Sequence, residues 1–341
     1  MSLKKYADWI AKNRDVEYRV CFEEIPPVTA KHKWVGAQSI GDCVYGIPND
    51  MGALLKHTTE GITYVGDVGN GLFKWTGGCM WHGILYCFSR TSNCLLKISL
   101  DTETIQYIPL QEYYAREHHY GGVCTKDGII YQPPRDSDHI LVWELKTEKS
   151  RSIRLACNSE EKTYRYCGSI IHPNGFVYFL PERNERAIKL NTETEEWSFI
   201  GEPLDAMVFD AKIAADGNIY GYSAVCNGIL KINSETDYIE MLHKEIKPGA
   251  YGTKLGVNGH LYSIPGDGRH VWDYDPMNDS LTDMFQFSYA LDAKFAGGAT
   301  VRNGNIYGMP AEDNTVFCLE TNVAGIEIPE DIYQEYFVDC Y

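Results

Sequence analysis

The chain has 341 residues, of which 44% are hydrophobic, 13% aromatic and 23% charged. Its 31 Lys and Arg against 47 Asp and Glu give a formal charge of −16. That disfavours a general nucleic-acid or anionic-membrane binder, which needs clustered cations, and no stretch approaches the ~20 apolar residues of a membrane span.

Eleven cysteines, an odd number without C-x-x-C spacing, read as reduced thiols inside or beside strands. A cytoplasmic location is expected on that ground. The first residues also lack the apolar core of a signal peptide. A monomer is expected, with no nucleic-acid or membrane partner.

Residues 1–16 open the chain. Leu3, Tyr6 and Ile10 share one face of a short amphipathic helix, with Trp9 nearby. Residues 17–25, E-Y-R-V-C-F-E-E-I, read as a β-strand. From Ile62, which begins a fourth strand, to Trp75, which begins the next first strand, is thirteen residues; thirteen before Trp34 falls on Cys21. Residues 17–25 thus occupy the place of a fourth strand ahead of the first repeat and are expected to clasp the last one. A rival for that slot is A-G-I-E-I-P at 324–329.

Between these ends runs a repeat. An aliphatic-Tyr pair recurs with its tyrosine at 45, 86, 131, 178, 220, 262 and 307, so successive spacings are 41, 45, 47, 42, 42 and 45 residues. Asp127-Gly128, Asn174-Gly175, Asp216-Gly217, Asn258-Gly259 and Asn303-Gly304 stand just before the Tyr strand. Such dipeptides are strong hairpin signals because both turn residues adopt positive φ. Two more short β runs follow in each period, separated by a turn such as L-D-T-E-T at 100–104. Four β runs in about forty residues match a propeller blade. The seven units are read as one all-β domain over 17–325, a seven-bladed β-propeller of four-stranded antiparallel blades. The tail, 326–341, is acidic and aromatic and is expected to pack on the propeller.

This punctuation, G-x-I-Y-x-x-P followed by an aliphatic run and a Thr/Glu turn, resembles the broad NHL, lactonase and streptogramin-lyase-like propellers. WD dipeptides are absent from the blade ends, and the Gly-Gly pairs fall in the first strand, unlike kelch repeats. The resemblance covers nearly the whole chain, is architectural, and implies two classes of function: binding or scaffolding, and metal-assisted lyase or lactonase chemistry.

Three constellations bear on that choice. An aromatic residue opens each first strand: Trp34, Trp75, Tyr120, Tyr166, Phe209, Tyr251 and Phe295. Rings at such positions wedge between blades or, if their faces are exposed, form a stacking platform. Just before them stand Lys33, Lys74, His119, Arg165 and Lys294, on five consecutive blades once the ring closes. Two cations ~10 Å apart repel by about 1.7 kcal/mol at an effective dielectric near 20, so this arc needs internal carboxylates or an anionic ligand. Lys33, Lys74, His119, Arg165, Lys294, Trp34, Trp75, Tyr120 and Tyr166 are the candidate ligand-binding residues. No cofactor is called from the residues themselves. The resemblance implies a divalent cation at the channel mouth as the alternative, with His32, His118, Asp210 and Asp292 as candidate ligands and His118 or His119 as acid or base. P-loop, dinucleotide and G-x-S-x-G signatures are absent.

The expected function is a non-enzymatic binding or interaction propeller whose mouth suits a small anion or a protein partner. The alternative is a lyase or lactonase acting on a small anionic or sugar-derived substrate.

Overall fold

In a computed structural model, residues 3–111, 118–155 and 164–338 are described, apart from the side chains of His118 and Tyr164. They form seven blades of four antiparallel strands around a central channel, with a helix at Leu3–Lys12. Blade one spans residues 34–65, blade two 75–109, blade five 212–242 and blade six 250–286. Blades three and four are tied by an extra ribbon. His118–His119 pairs with Pro134–Ser137, which pairs in turn with the first strand of blade four, Tyr164–His172.

The recurring residues have local reasons. The turn Asn or Asp bonds to the Tyr hydroxyl four residues on: Asn174 to Tyr178 at 3.3 Å, Asp216 to Tyr220 at 2.7 Å, Asn258 to Tyr262 at 2.9 Å. The same side chain accepts a backbone N–H two residues along, as Asp216 does from Asn218 at 3.0 Å. One residue thus shapes the hairpin and satisfies a buried phenol.

The Gly-Gly pairs line the channel. Gly36 and Gly77 have φ of 83° and 70°, and a Cβ on Gly36 would lie 2.7 Å from the Cα of Gly77. Inner strands approach this closely only without side chains.

Blade seven closes the ring. Its own strands are Phe295–Thr300, Ile306–Pro310 and Thr315–Thr321, and the fourth is the N-terminal strand Tyr18–Glu24. Seven register pairs run from Tyr18↔Thr321 to Glu24↔Thr315. Residues 324–329 do not take the slot. The chain turns at Gly325, with φ of 79°, and Ile328 bonds its N–H to Arg302 O at 2.8 Å.

Both ends of the chain then meet on the face where inner strands end. A helical turn at Glu330–Ile332 continues into a wider turn at Tyr333–Phe337. The Tyr333 hydroxyl bonds to Ser39 Oγ at 2.5 Å and to Thr300 O at 3.0 Å. Tyr336 stacks on Tyr6 of the N-terminal helix with ring centres 3.9 Å apart, and Lys5 pairs with Asp331.

Wedge residues hold adjacent blades. Trp34 is fully buried and donates its indole N–H to Ala53 O at 2.9 Å. Trp34→Ala should lower stability by about 3–5 kcal/mol in a urea titration, because it leaves a cavity and an orphaned carbonyl.

Candidate ligand site in the central channel

Strand register corrects the aromatic ring read from the sequence. The inner-strand residues facing the second-strand tyrosines include Gln38, Val123, Lys212 and Lys254. Four residues earlier lies the wedge position: Trp34 in blade one, but His119, Val208 and Ala250 in blades three, five and six. Trp75, Tyr166 and Phe295 hold the same place in their blades. All seven wedge residues are buried. Tyr120, Phe209 and Tyr251 sit one residue further along, where the pleat turns the side chain into the channel. Their counterparts are Val35, Thr76, Cys167 and Ala296, and all seven line one cavity of about 100 Å³. Of the four aromatics called for ligand binding, Trp34, Trp75 and Tyr166 are therefore enclosed between blades, and Tyr120 alone reaches the channel.

The basic arc is not gathered at the channel either. The Lys33 ammonium donates to the carbonyls of Ala311, Glu312 and Asp313 at 3.2, 2.9 and 3.1 Å. That of Lys74 donates to Met51 O at 2.8 Å and Gly69 O at 2.9 Å, and that of Lys294 to Gly268 O at 2.8 Å. Each lysine thus caps a turn of the preceding blade, and burial pulls its pKa down. Arg165 pairs with Asp136 at 3.0 Å. His119 is buried at its wedge position.

The described members of the candidate metal set do not converge. Asp292 is 84% exposed and pairs with Lys31 at 3.2 Å. Asp210 lies in the channel but pairs with Lys254 at 2.5 Å. His32 rests against Phe73 with ring centres 5.3 Å apart. The His118 side chain lies outside the described residues.

What the structure places in the channel is different. Tyr120, Phe209 and Tyr251 form a run of rings, with centres 5.3 and 5.1 Å apart. Beneath them blades five and six contribute Asp210, Lys212 and Lys254, and both lysines are almost wholly buried. The tail supplies Glu335, Tyr336 and Val338 to the same cavity and so floors it. Glu335 also reaches Lys126 at 3.4 Å.

At the mouth stands Arg90, in the turn after the second strand of blade two. Its guanidinium lies 4.4 Å from the centre of the Phe73 ring and 4.9 Å from that of Tyr120. Arg135 also approaches Tyr120, at 5.0 Å from its ring centre, and is neutralised by Glu182 at 3.1 Å. Among the described residues, no carboxylate lies within ion-pair distance of Arg90. Burial, then the nearby Arg135, lowers its pKa. A half-buried guanidinium stacked against two rings has its N–H edge available for an anion. Sequence reasoning missed Arg90, Lys212 and Lys254. The available signal for the lysines was their shared place in the repeat, opposite the second-strand tyrosines Tyr220 and Tyr262.

No family model matches the chain, and no curated protein matches it in sequence. Solved structures do match. A streptogramin B lyase structure superposes with a TM-score of 0.72 at 14% identity, over 89% of this chain and 98% of that one. The chain is a seven-bladed propeller similar in fold to streptogramin B lyase. A catalytically inactive virginiamycin B lyase from Staphylococcus aureus, solved with quinupristin, gives the same TM-score and identity over 89% of this chain and 99% of that one. The extracellular domain of a hybrid two-component system from B. thetaiotaomicron gives 0.66 at 12% identity, over 87% of this chain and 39% of that one. At these identities the likeness is one of fold. Function rests on the side chains.

Proposed function

We propose that this protein binds a small anion with a fork of oxygens at the channel mouth, with Arg90 as its charged anchor and Tyr120, Phe209 and Tyr251 as the stacking wall. The observation that carries this reading is the Arg90 guanidinium, sandwiched between Phe73 and Tyr120 and without an ion-pair partner among the described residues. The candidate anion classes are aromatic carboxylates, sugar acids and phosphate esters, each of which offers a fork of oxygens to a guanidinium. The floor formed by Tyr336 and Glu335 makes the channel a blind pocket, which suits a small ligand entering from one side.

A thermal-shift and tyrosine-fluorescence screen against those three classes tests it. The wild type should be stabilised by at least one class. Arg90→Gln should weaken that ligand about tenfold or more while leaving the ligand-free melting temperature unchanged. Equal affinity in the variant removes the site.

A lyase reading draws on one separate observation, the buried Lys254–Asp210 pair beneath the ring of aromatics. A lysine so placed, freed of its partner by a substrate, is a candidate general base. Turnover of cyclic esters or lactones by the wild type and not by Lys254→Arg would favour it; no turnover across that panel would count against it.

A further inference from the structure

We infer that Cys21, Cys318 and Glu320 form a binding site for a thiophilic divalent cation of the zinc class, which fastens the clasp strand to the last blade. This site lies on the outer strands of blade seven and is independent of the channel.

Cys21 and Cys318 are direct cross-strand partners in the ladder that closes the ring. The Cys21 thiol leans over its partner, 3.6 Å from Cys318 O. The two sulfurs and a carboxylate oxygen of Glu320 all lie within 4.8 Å of one another. A tetrahedral zinc with Zn–S bonds of about 2.3 Å sets its sulfurs about 3.8 Å apart. Small side-chain rotations therefore bring these three atoms onto one ion.

The surroundings complete the chemistry. Glu23, two residues from Cys21 on the same face of the clasp strand, offers a carboxylate for the fourth position. His57 of blade one holds that carboxylate through Nε2 at 2.9 Å. The His57 ring is buried, and its Nδ1 has no hydrogen-bond partner among the described residues. A carboxylate steadied by a histidine is the kind of outer contact that orients a metal ligand. Arg19, which now pairs with Glu320 at 2.6 Å, is 77% exposed and can swing into solvent when the carboxylate turns to the ion. Binding converts both thiols to thiolates and releases two protons to the buffer. No electron is transferred. The physical consequence is large for a local site, because the ligands come from the two ends of the chain, and an ion between them holds the ring shut.

The test uses the full chain, reduced and freed of metal by a chelator, titrated with Cd²⁺ and separately with Co²⁺. One equivalent of Cd²⁺ should raise an ultraviolet sulfur-to-metal charge-transfer band, and Co²⁺ should give the visible bands of a tetrahedral thiolate site. Zn²⁺ should compete for both and raise the melting temperature. Cys21→Ser, at the half-buried position, should abolish the bands and the thermal shift. Glu320→Gln, which removes only a surface ion pair, should weaken Cd²⁺ binding about tenfold without unfolding the protein. No band in the wild type overturns the proposal. So does a band of equal strength in Cys21→Ser, which would place the thiolates elsewhere. Formation of a Cys21–Cys318 disulfide on exposure to oxidised glutathione, with no metal band in the reduced protein, would likewise replace it.

Discussion

Deleting residues 1–24 should cost the protein its cooperative fold. The strand Tyr18–Glu24 supplies the whole outer ladder of blade seven. Without it the strand Thr315–Thr321 becomes an open edge at the one seam of the ring, a template for aggregation. The loss extends beyond hydrogen bonds. Phe22 packs among Phe285, Phe287 and Phe317, with ring centres 5.5, 5.6 and 6.0 Å away. The Tyr18 hydroxyl donates to Gly304 O at 2.8 Å and accepts from the Val257 N–H at 2.9 Å, so it links blades six and seven. Burial of Tyr6, Ile10 and Tyr18 each contributes about 1.5–3 kcal/mol. Together with the ladder, these terms are comparable to the roughly 5–15 kcal/mol that separates a folded domain from its unfolded chain. Thermal melting by circular dichroism and size-exclusion chromatography check this. A monomeric truncated chain that melts like the wild type would show that the first 24 residues are dispensable.

Lys254→Met should destabilise the protein by about 3 kcal/mol, the low end of the range for breaking a buried pair. Lys254 is 1% exposed and its partner Asp210 is 17% exposed, so removal of the amine strands a carboxylate that water reaches only in part. The low end applies because Asp210 retains some hydration from the channel. Lys254→Met combined with Asp210→Leu should recover most of the loss, since no charge is then left alone. Urea unfolding of the two single variants and the double variant gives the coupling directly. If the double variant is as unstable as Lys254→Met, the pair is not what the lysine contributes. If it is stable yet no longer binds an anion that the wild type binds, the pair is retained for the ligand rather than for the fold.

The sequence and the structure part company at identifiable residues. The tyrosine spacing and the Asn-Gly turns are local patterns, and each survives into the fold because hairpins are set by neighbours in the chain. The thirteen-residue offset placed Cys21 in a fourth strand, although its partner Cys318 lies 297 residues away. The aromatic ring failed by one residue in three blades. At His119, Val208 and Ala250 the wedge position lost its aromatic, and the adjacent Tyr120, Phe209 and Tyr251 imitate it in an alignment. A slip of one residue turns a side chain to the other face of a strand. Only the pairing of Ala250 with Pro265 and of His119 with Pro134 reveals it. The lysines were located correctly in the chain, but their direction depends on carbonyls of the preceding blade, such as Ala311 O above Lys33.

By itself the sequence determined the number of blades and their hairpins, because these follow from periodicity and short-range turn chemistry. It offered residues 17–25 for the closing strand with 324–329 as a rival, and the pairing of Tyr18–Glu24 with Thr315–Thr321 decided between them. The tertiary structure alone decided which side chains share the channel and which share the clasp. Arg90 comes from an ordinary turn, and only the packing of blade two against its neighbours brings its guanidinium to 4.4 Å from the centre of the Phe73 ring and 4.9 Å from that of Tyr120. Cys21 and Cys318 become neighbours only when the first strand pairs with the last. Contacts between distant segments are set by closure of the ring, and no local pattern in the chain encodes them.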